Sequence, residues 1–121
     1  MNYLMIFIGG GLGSVLRFAI SSLLNKSSIS LPLGTLVSNA LASLILAYTV
    51  FYLLPKTGAH HWTYAFIAIG FCGGFSTFST FSMESYKLAE AGMWGWFSAN
   101  IAFNLFLCIA LILFMVKLKS S

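Results

Sequence analysis

The sequence predicts an all-α integral membrane protein with four transmembrane helices, and three observations lead there. Of 121 residues, 60% are hydrophobic and 7% charged, whereas soluble domains carry about 45–50% and about 25%. With six Lys and Arg and two acids in all, no water-facing surface can be built. Those charges (Arg17, Lys26, Lys56, Glu84, Lys87, Glu90, Lys117 and Lys119) leave uncharged runs at 27–55, 57–83 and 91–116, which are 29, 27 and 26 residues long. A bilayer core takes about 20 apolar residues, so each run holds one helix. The alternating segments of roughly ten residues that a membrane barrel needs are absent.

Four spans follow in order, within a single membrane domain covering 1–121. The first, 3–24, is glycine-rich and interrupted only by Arg17; it ends at the polar cluster Asn25-Lys26-Ser27-Ser28. At 1.5 Å per residue it is about 33 Å long, which suits a bilayer. The second, 32–54, stops at Pro55-Lys56-Thr57-Gly58. The third, 62–86, opens on Trp62 and Tyr64 and is followed by the turn Glu90-Ala91-Gly92. The fourth, 94–116, opens on Trp94 and Trp96 and precedes Lys117 and Lys119. Tryptophan and tyrosine at span ends are the usual interfacial anchors.

Several functions are excluded cheaply. No basic region precedes the first apolar stretch, so a cleaved signal peptide is not expected and the first span should remain. The net charge of +4 is spread over all loops and makes no nucleic-acid patch. Cys72 and Cys108 fall inside spans and read as small packing residues, and His60-His61 lacks a third metal ligand. With no Asp and no buried His–nucleophile pair, an enzyme is not expected.

Orientation is weakly specified. Lys56, Lys117 and Lys119 fall on one side against Lys26 and Lys87 on the other, while topology normally follows a clear Lys/Arg excess. Either single residues decide the orientation, or the chain inserts both ways and pairs with an inverted copy. Four helices this short leave no aqueous pore between them, so a transport path should run along a subunit interface. Gly9 with Gly13, and Gly70 with Gly74, are GxxxG pairs that permit close helix approach, within one subunit or between two.

Polar residues at membrane depth carry the chemistry. Arg17 costs at least about 2.5–3.5 kcal/mol on insertion scales. It either snorkels toward the 25–28 side or provides a fixed positive charge for an anion. Asn39 in the second span, and Asn100 and Asn104 four residues apart in the fourth with Cys108 beyond, offer amide N–H donors or helix–helix glue. The most specific segment is Gly73-Gly74-Phe75-Ser76-Thr77-Phe78-Ser79-Thr80-Phe81-Ser82. Its glycines and hydroxyls invite a broken third helix, which survives at membrane depth only inside protein or beside a cavity. Half-helices at such a break point partial charges at ions, and the edges of Phe78 and Phe81 are positive.

On these residues the chain resembles the Fluc family of fluoride channels, also called CrcB. The likeness spans the chain through the glycine-rich first span with Arg17, Gly34-Thr35-Leu36…Asn39, and the Gly73–Ser82 motif. The resemblance implies an antiparallel, dual-topology homodimer in the plasma membrane, with two pores and passive export of fluoride. It implies a pore lined by Phe78, Phe81 and Asn39, continued by Ser79, Thr80, Ser82, Asn104 and Glu84, with Arg17 as the nearby positive charge. It also implies a central, structural sodium ion held by the backbone carbonyls of Gly73 and Ser76. Ser76 is often threonine in the family, and fourth-span hydroxyls are replaced here by Asn100, Asn104 and Cys108. The rival readings are a proton-coupled exporter of cationic drugs, which needs a carboxylate near the centre of a span, and a subunit that only organises a larger complex.

Overall fold

The computed structural model describes residues 2–25, 31–58 and 61–120. Lys26, Ser27, Ser28 and His60 lie outside the described residues, so the polar turn after the first span and the His60-His61 pair are not assessed. The described residues form helices only, joined by short turns. Helix α1 is Asn2–Leu24 and α2 is Leu33–Thr57. The third span, Tyr64–Glu90, comprises α3 over residues 64–75 and α4 over Ser79–Glu90. Helix α5 is Trp94–Ser120. Among the described residues, four segments are long and apolar enough to cross a membrane. The chain is a multi-pass membrane protein.

The surface confirms which solvent it faces. Phe7, Val15, Phe18 and Phe106 are all more than two-thirds exposed, while Thr35, Ser38, Thr49 and Asn100 are buried. Apolar side chains outside and small polar ones inside is the pattern of helices held together within lipid.

Helix α1 lies against α3 along the glycine pairs. A Cβ on Gly9 would collide with the Phe66 carbonyl, one on Gly13 with the Phe71 carbonyl, one on Gly70 with the Ile6 backbone and one on Gly74 with the Gly10 backbone. Both GxxxG pairs are therefore used within one subunit, facing each other. Arg17, four residues past Gly13, turns toward the same helix: its Nε donates to the Gly74 carbonyl at 3.1 Å.

The second span runs past its expected end. Pro55 lacks the N–H that would serve the carbonyl four residues back, yet the helix continues through it to Thr57 and stops only at Gly58, whose φ is 87°. A π-helical stretch at Thr49–Leu53 widens the ladder just before the proline, and Lys119 Nζ donates to the Phe51 carbonyl that Pro55 cannot serve. The missing donor is thus supplied from the end of α5. At the other end of α2, the Asn25 side chain accepts the Gly34 N–H at 3.0 Å. The turn after α4 forms as its sequence suggests, with Gly92 at φ 76°.

Candidate functional site

The site grows from the gap between α3 and α4. Helix α3 ends because Ser76 satisfies it early: the Ser76 N–H and hydroxyl both donate to the Cys72 carbonyl, at 2.9 and 2.7 Å. Ser76 itself is extended, with φ −86° and ψ 159°. The next amide leaves the helical pattern altogether. Thr77 N–H donates to Asn39 Oδ1 at 2.9 Å, where a continuous helix would send it to the Gly73 carbonyl. Asn39 Nδ2 returns a bond to the Thr77 carbonyl at 3.4 Å, so the side chain pairs with both polar groups of that residue. Helix α4 then starts with Thr80 N–H donating to the Thr77 hydroxyl at 3.3 Å, in the manner of a cap, instead of to the Ser76 carbonyl.

Asn39 is the end of a longer chain. Its Nδ2 also donates to Asn104 Oδ1 at 2.9 Å. Asn104 Nδ2 donates to the Asn100 carbonyl and to Asn100 Oδ1, at 2.9 and 3.0 Å, and Asn100 Nδ2 donates to Ser85 Oγ at 2.9 Å. The amide hydrogens of Asn39 and Asn104 are all engaged with protein acceptors.

Beside this chain opens a recess of about 340 Å³ whose walls are Asn39 and Ser43 from α2, Ser76, Thr77, Phe78 and Phe81 from the third span, and Asn104, Leu105, Cys108 and Ile109 from α5. Phe78 is 78% exposed, its ring 5.6 Å from that of Phe81 at an interplanar angle of 49°. Among the described residues, no charged side chain lines the recess. A neutral wall of hydroxyls and ring edges can contact an ion without the deep trap that a fixed countercharge would create.

The expected site residues divide between this recess and its surroundings. Phe78, Phe81, Asn39 and Asn104 line it; Ser79, Thr80, Ser82 and Glu84 do not, and Ser79 and Ser82 face outward from α4. Glu84 is partly buried, and its Oε1 is buried without a partner. Arg17 is bonded to the Gly74 carbonyl, in the last turn of α3. Gly73 and Ser76 share a second, smaller recess of about 160 Å³ with Ser43 and Cys72. The carbonyls expected to hold a cation are the ones whose helical donors are diverted, Gly73 by Asn39 and Ser76 by the Thr77 hydroxyl. These carbonyl oxygens suit a hard cation such as sodium.

Sequence reasoning missed Ser43, Leu105, Ile109 and Ser85. Ser43 lies one helical turn beyond Asn39, and Ile109 one beyond Leu105, so the i, i+4 rule applied to Asn39 would have found the first. Nothing local marks Ser85, which belongs to the chain only because α4 packs on the start of α5.

The sequence is similar to known proteins along most of its length. The family model described as CrcB-like protein, Camphor Resistance (CrcB), matches residues 4–116. The chain is 42% identical over 104 residues to the fluoride-specific ion channel FluC of Serratia proteamaculans (strain 568), covering 86% of this chain and 82% of that protein. It is 40% identical over 101 residues to the fluoride-specific ion channel FluC 1 of Yersinia pestis, covering 84% and 80%. A FluC of Coxiella burnetii (strain Dugway 5J108-111) is 36% identical over 112 residues, 91% and 90% of the two chains.

Proposed function

The chain belongs to the CrcB family, and from that premise we propose that it is a passive, fluoride-selective ion channel that lowers cytoplasmic fluoride. It is not an enzyme. The observation that carries the reading is that relatives named as fluoride-specific channels match along more than four-fifths of both chains. The uncharged recess with Phe78 and Phe81 at its mouth supports it.

Two copies in inverted orientation form the conducting unit, with two pores along their interface. Removing a small anion from water costs tens of kcal/mol by Born reasoning, so the pore must replace hydration with dense donors. The hydroxyls of Ser79, Thr80 and Ser82 continue the track along α4, and the positive edges of Phe78 and Phe81 meet the ion at the recess. Arg17 supplies the positive potential that favours anion entry, and Glu84 marks the far end of the track. The near balance of Lys56, Lys117 and Lys119 against Lys26 and Lys87 lets both orientations insert. The Gly73 and Ser76 carbonyls of the two copies would hold a structural sodium, whose positive charge would offset the partial negative charge of helix C-terminal ends and which would not be transported.

The proton-coupled exporter of cationic drugs is not favoured, because neither Glu84 nor Glu90 reaches the recess. Liposomes containing only this protein test the proposal. Fluoride efflux with no chloride flux and no dependence on a proton gradient is the expected result; proton-driven transport or equal chloride flux overturns it.

A further inference from the structure

The chain of side chains from Ser85 to Asn39 has a direction. Each Asn amide has one donor end and one acceptor end. At the far end, the Thr77 N–H requires an acceptor, so Asn39 must present Oδ1 to it. That leaves Nδ2 facing Asn104 Oδ1; Asn104 in turn directs Nδ2 at Asn100 Oδ1, and Asn100 directs Nδ2 at Ser85 Oγ. All bonds point the same way, from Asn39 toward the hydroxyl. Ser85 closes the series because a hydroxyl accepts as readily as it donates. Asn100 is 0% and Ser85 6% exposed, so water cannot replace a missing partner, and an unsatisfied buried amide costs more than an average hydrogen bond contributes.

Neither Ser85 nor Asn100 lines the recess, yet both belong to the hydrogen-bonded chain that ends on Asn39, whose Oδ1 accepts from the residue before Phe78. We propose that Ser85 and Asn100 are positioning residues: they hold the Asn39 amide in the one orientation that pairs with Thr77, keep the third span open at Ser76–Phe78 and so place the Phe78 ring at the mouth of the recess. The inference rests on the channel reading above, because its functional consequence is the geometry of an ion path.

The test uses the purified full chain reconstituted at low density. Variants are Ser85→Ala and Asn100→Ala, with Ser85→Thr as the conservative partner that keeps the hydroxyl. Hydrogen exchange across 73–81 is read in parallel with single-channel fluoride current. Ser85→Ala and Asn100→Ala should speed exchange of the Thr77 amide about tenfold and lower unitary current, whereas Ser85→Thr restores both. In an Asn39→Ala background, the two substitutions should add nothing further, because the relay has already lost its end. Unchanged Thr77 exchange in folded Ser85→Ala and Asn100→Ala overturns the inference, as do effects that add in full to those of Asn39→Ala. The exchange readout needs no fluoride, so loss of protection in a protein that carries no fluoride would refute the channel and leave the relay standing.

Discussion

Placing one methyl group on the face where α1 meets α3 tests the packing that holds the break in place. Gly13→Ala puts a Cβ against the Phe71 carbonyl, 2.8 Å from the Phe75 amide nitrogen and 3.2 Å from the Gly74 carbonyl carbon, where ordinary carbon contacts begin near 3.5 Å. All three are backbone atoms, so no rotamer change relieves the overlap and the two helices must part. Overpacking of this kind costs about 1–3 kcal/mol, here at the upper end. Against it stands the helix preference of Ala over Gly, about 1 kcal/mol. Gly11→Ala, two residues away with nothing within 4 Å of its Cβ, receives that preference and no clash. The two variants should therefore differ by roughly 2–3 kcal/mol, about a 30- to 150-fold difference in the unfolding equilibrium. The assay is reversible unfolding in mixed micelles or bilayers, followed by the tryptophan signal. Gly11→Ala should match or exceed the parent, and Gly13→Ala should fall below both. Gly13→Ala as stable as the parent refutes close packing of α1 on α3; a loss in Gly11→Ala as large as that in Gly13→Ala means that a second copy occupies the Gly11 face.

Other perturbations address the ion path. Replacing Phe78 or Phe81 by Ile keeps bulk but removes the positive ring edge, so fluoride efflux should fall sharply while dimers persist on size exclusion; unchanged efflux in both returns the rings to packing. Asn39→Asp replaces both N–H bonds to Asn104 Oδ1 and the Thr77 carbonyl with lone pairs facing oxygen. Efflux at neutral pH should drop by about tenfold or more, and a near-normal rate would remove Asn39 from the path. Two lysines added at the C-terminus should force one orientation, read by cysteine labelling from each side, and abolish flux until an oppositely biased partner is supplied; robust flux from the single orientation would refute the inverted dimer. Exchanging sodium for a large organic cation on both sides should weaken the dimer or stop conduction, and indifference to sodium would reject the carbonyl site at Gly73 and Ser76.

Much of this protein was legible from residue order alone, because a bilayer imposes a simple rule on sequence. Backbone groups in lipid must be bonded internally, so apolar runs of sufficient length become helices, and the charged residues other than Arg17 and Glu84 lie near their limits. The span ends are less legible for the same kind of reason: Pro55 reads as a stop, yet α2 continues to Thr57 because a π-helical stretch and Lys119, 64 positions along the chain, deal with the carbonyl it leaves. The hydroxyl–phenylalanine segment after Gly73-Gly74 marked residues that line the recess, through composition that lipid would not tolerate on an ordinary helix. What residue order could not assign was partnership. Whether Gly9, Gly13, Gly70 and Gly74 met within a subunit depended on how α1 crosses α3. Asn39, Asn100 and Asn104 looked like independent donors, and only the approach of α2, α4 and α5 joined them to Thr77 and Ser85 in one directed chain. Helix formation is a local transaction between an amide and the carbonyl four residues away, so sequence determines it; the diversion of the Thr77 amide to Asn39 spans 38 positions, and only the tertiary structure decides it.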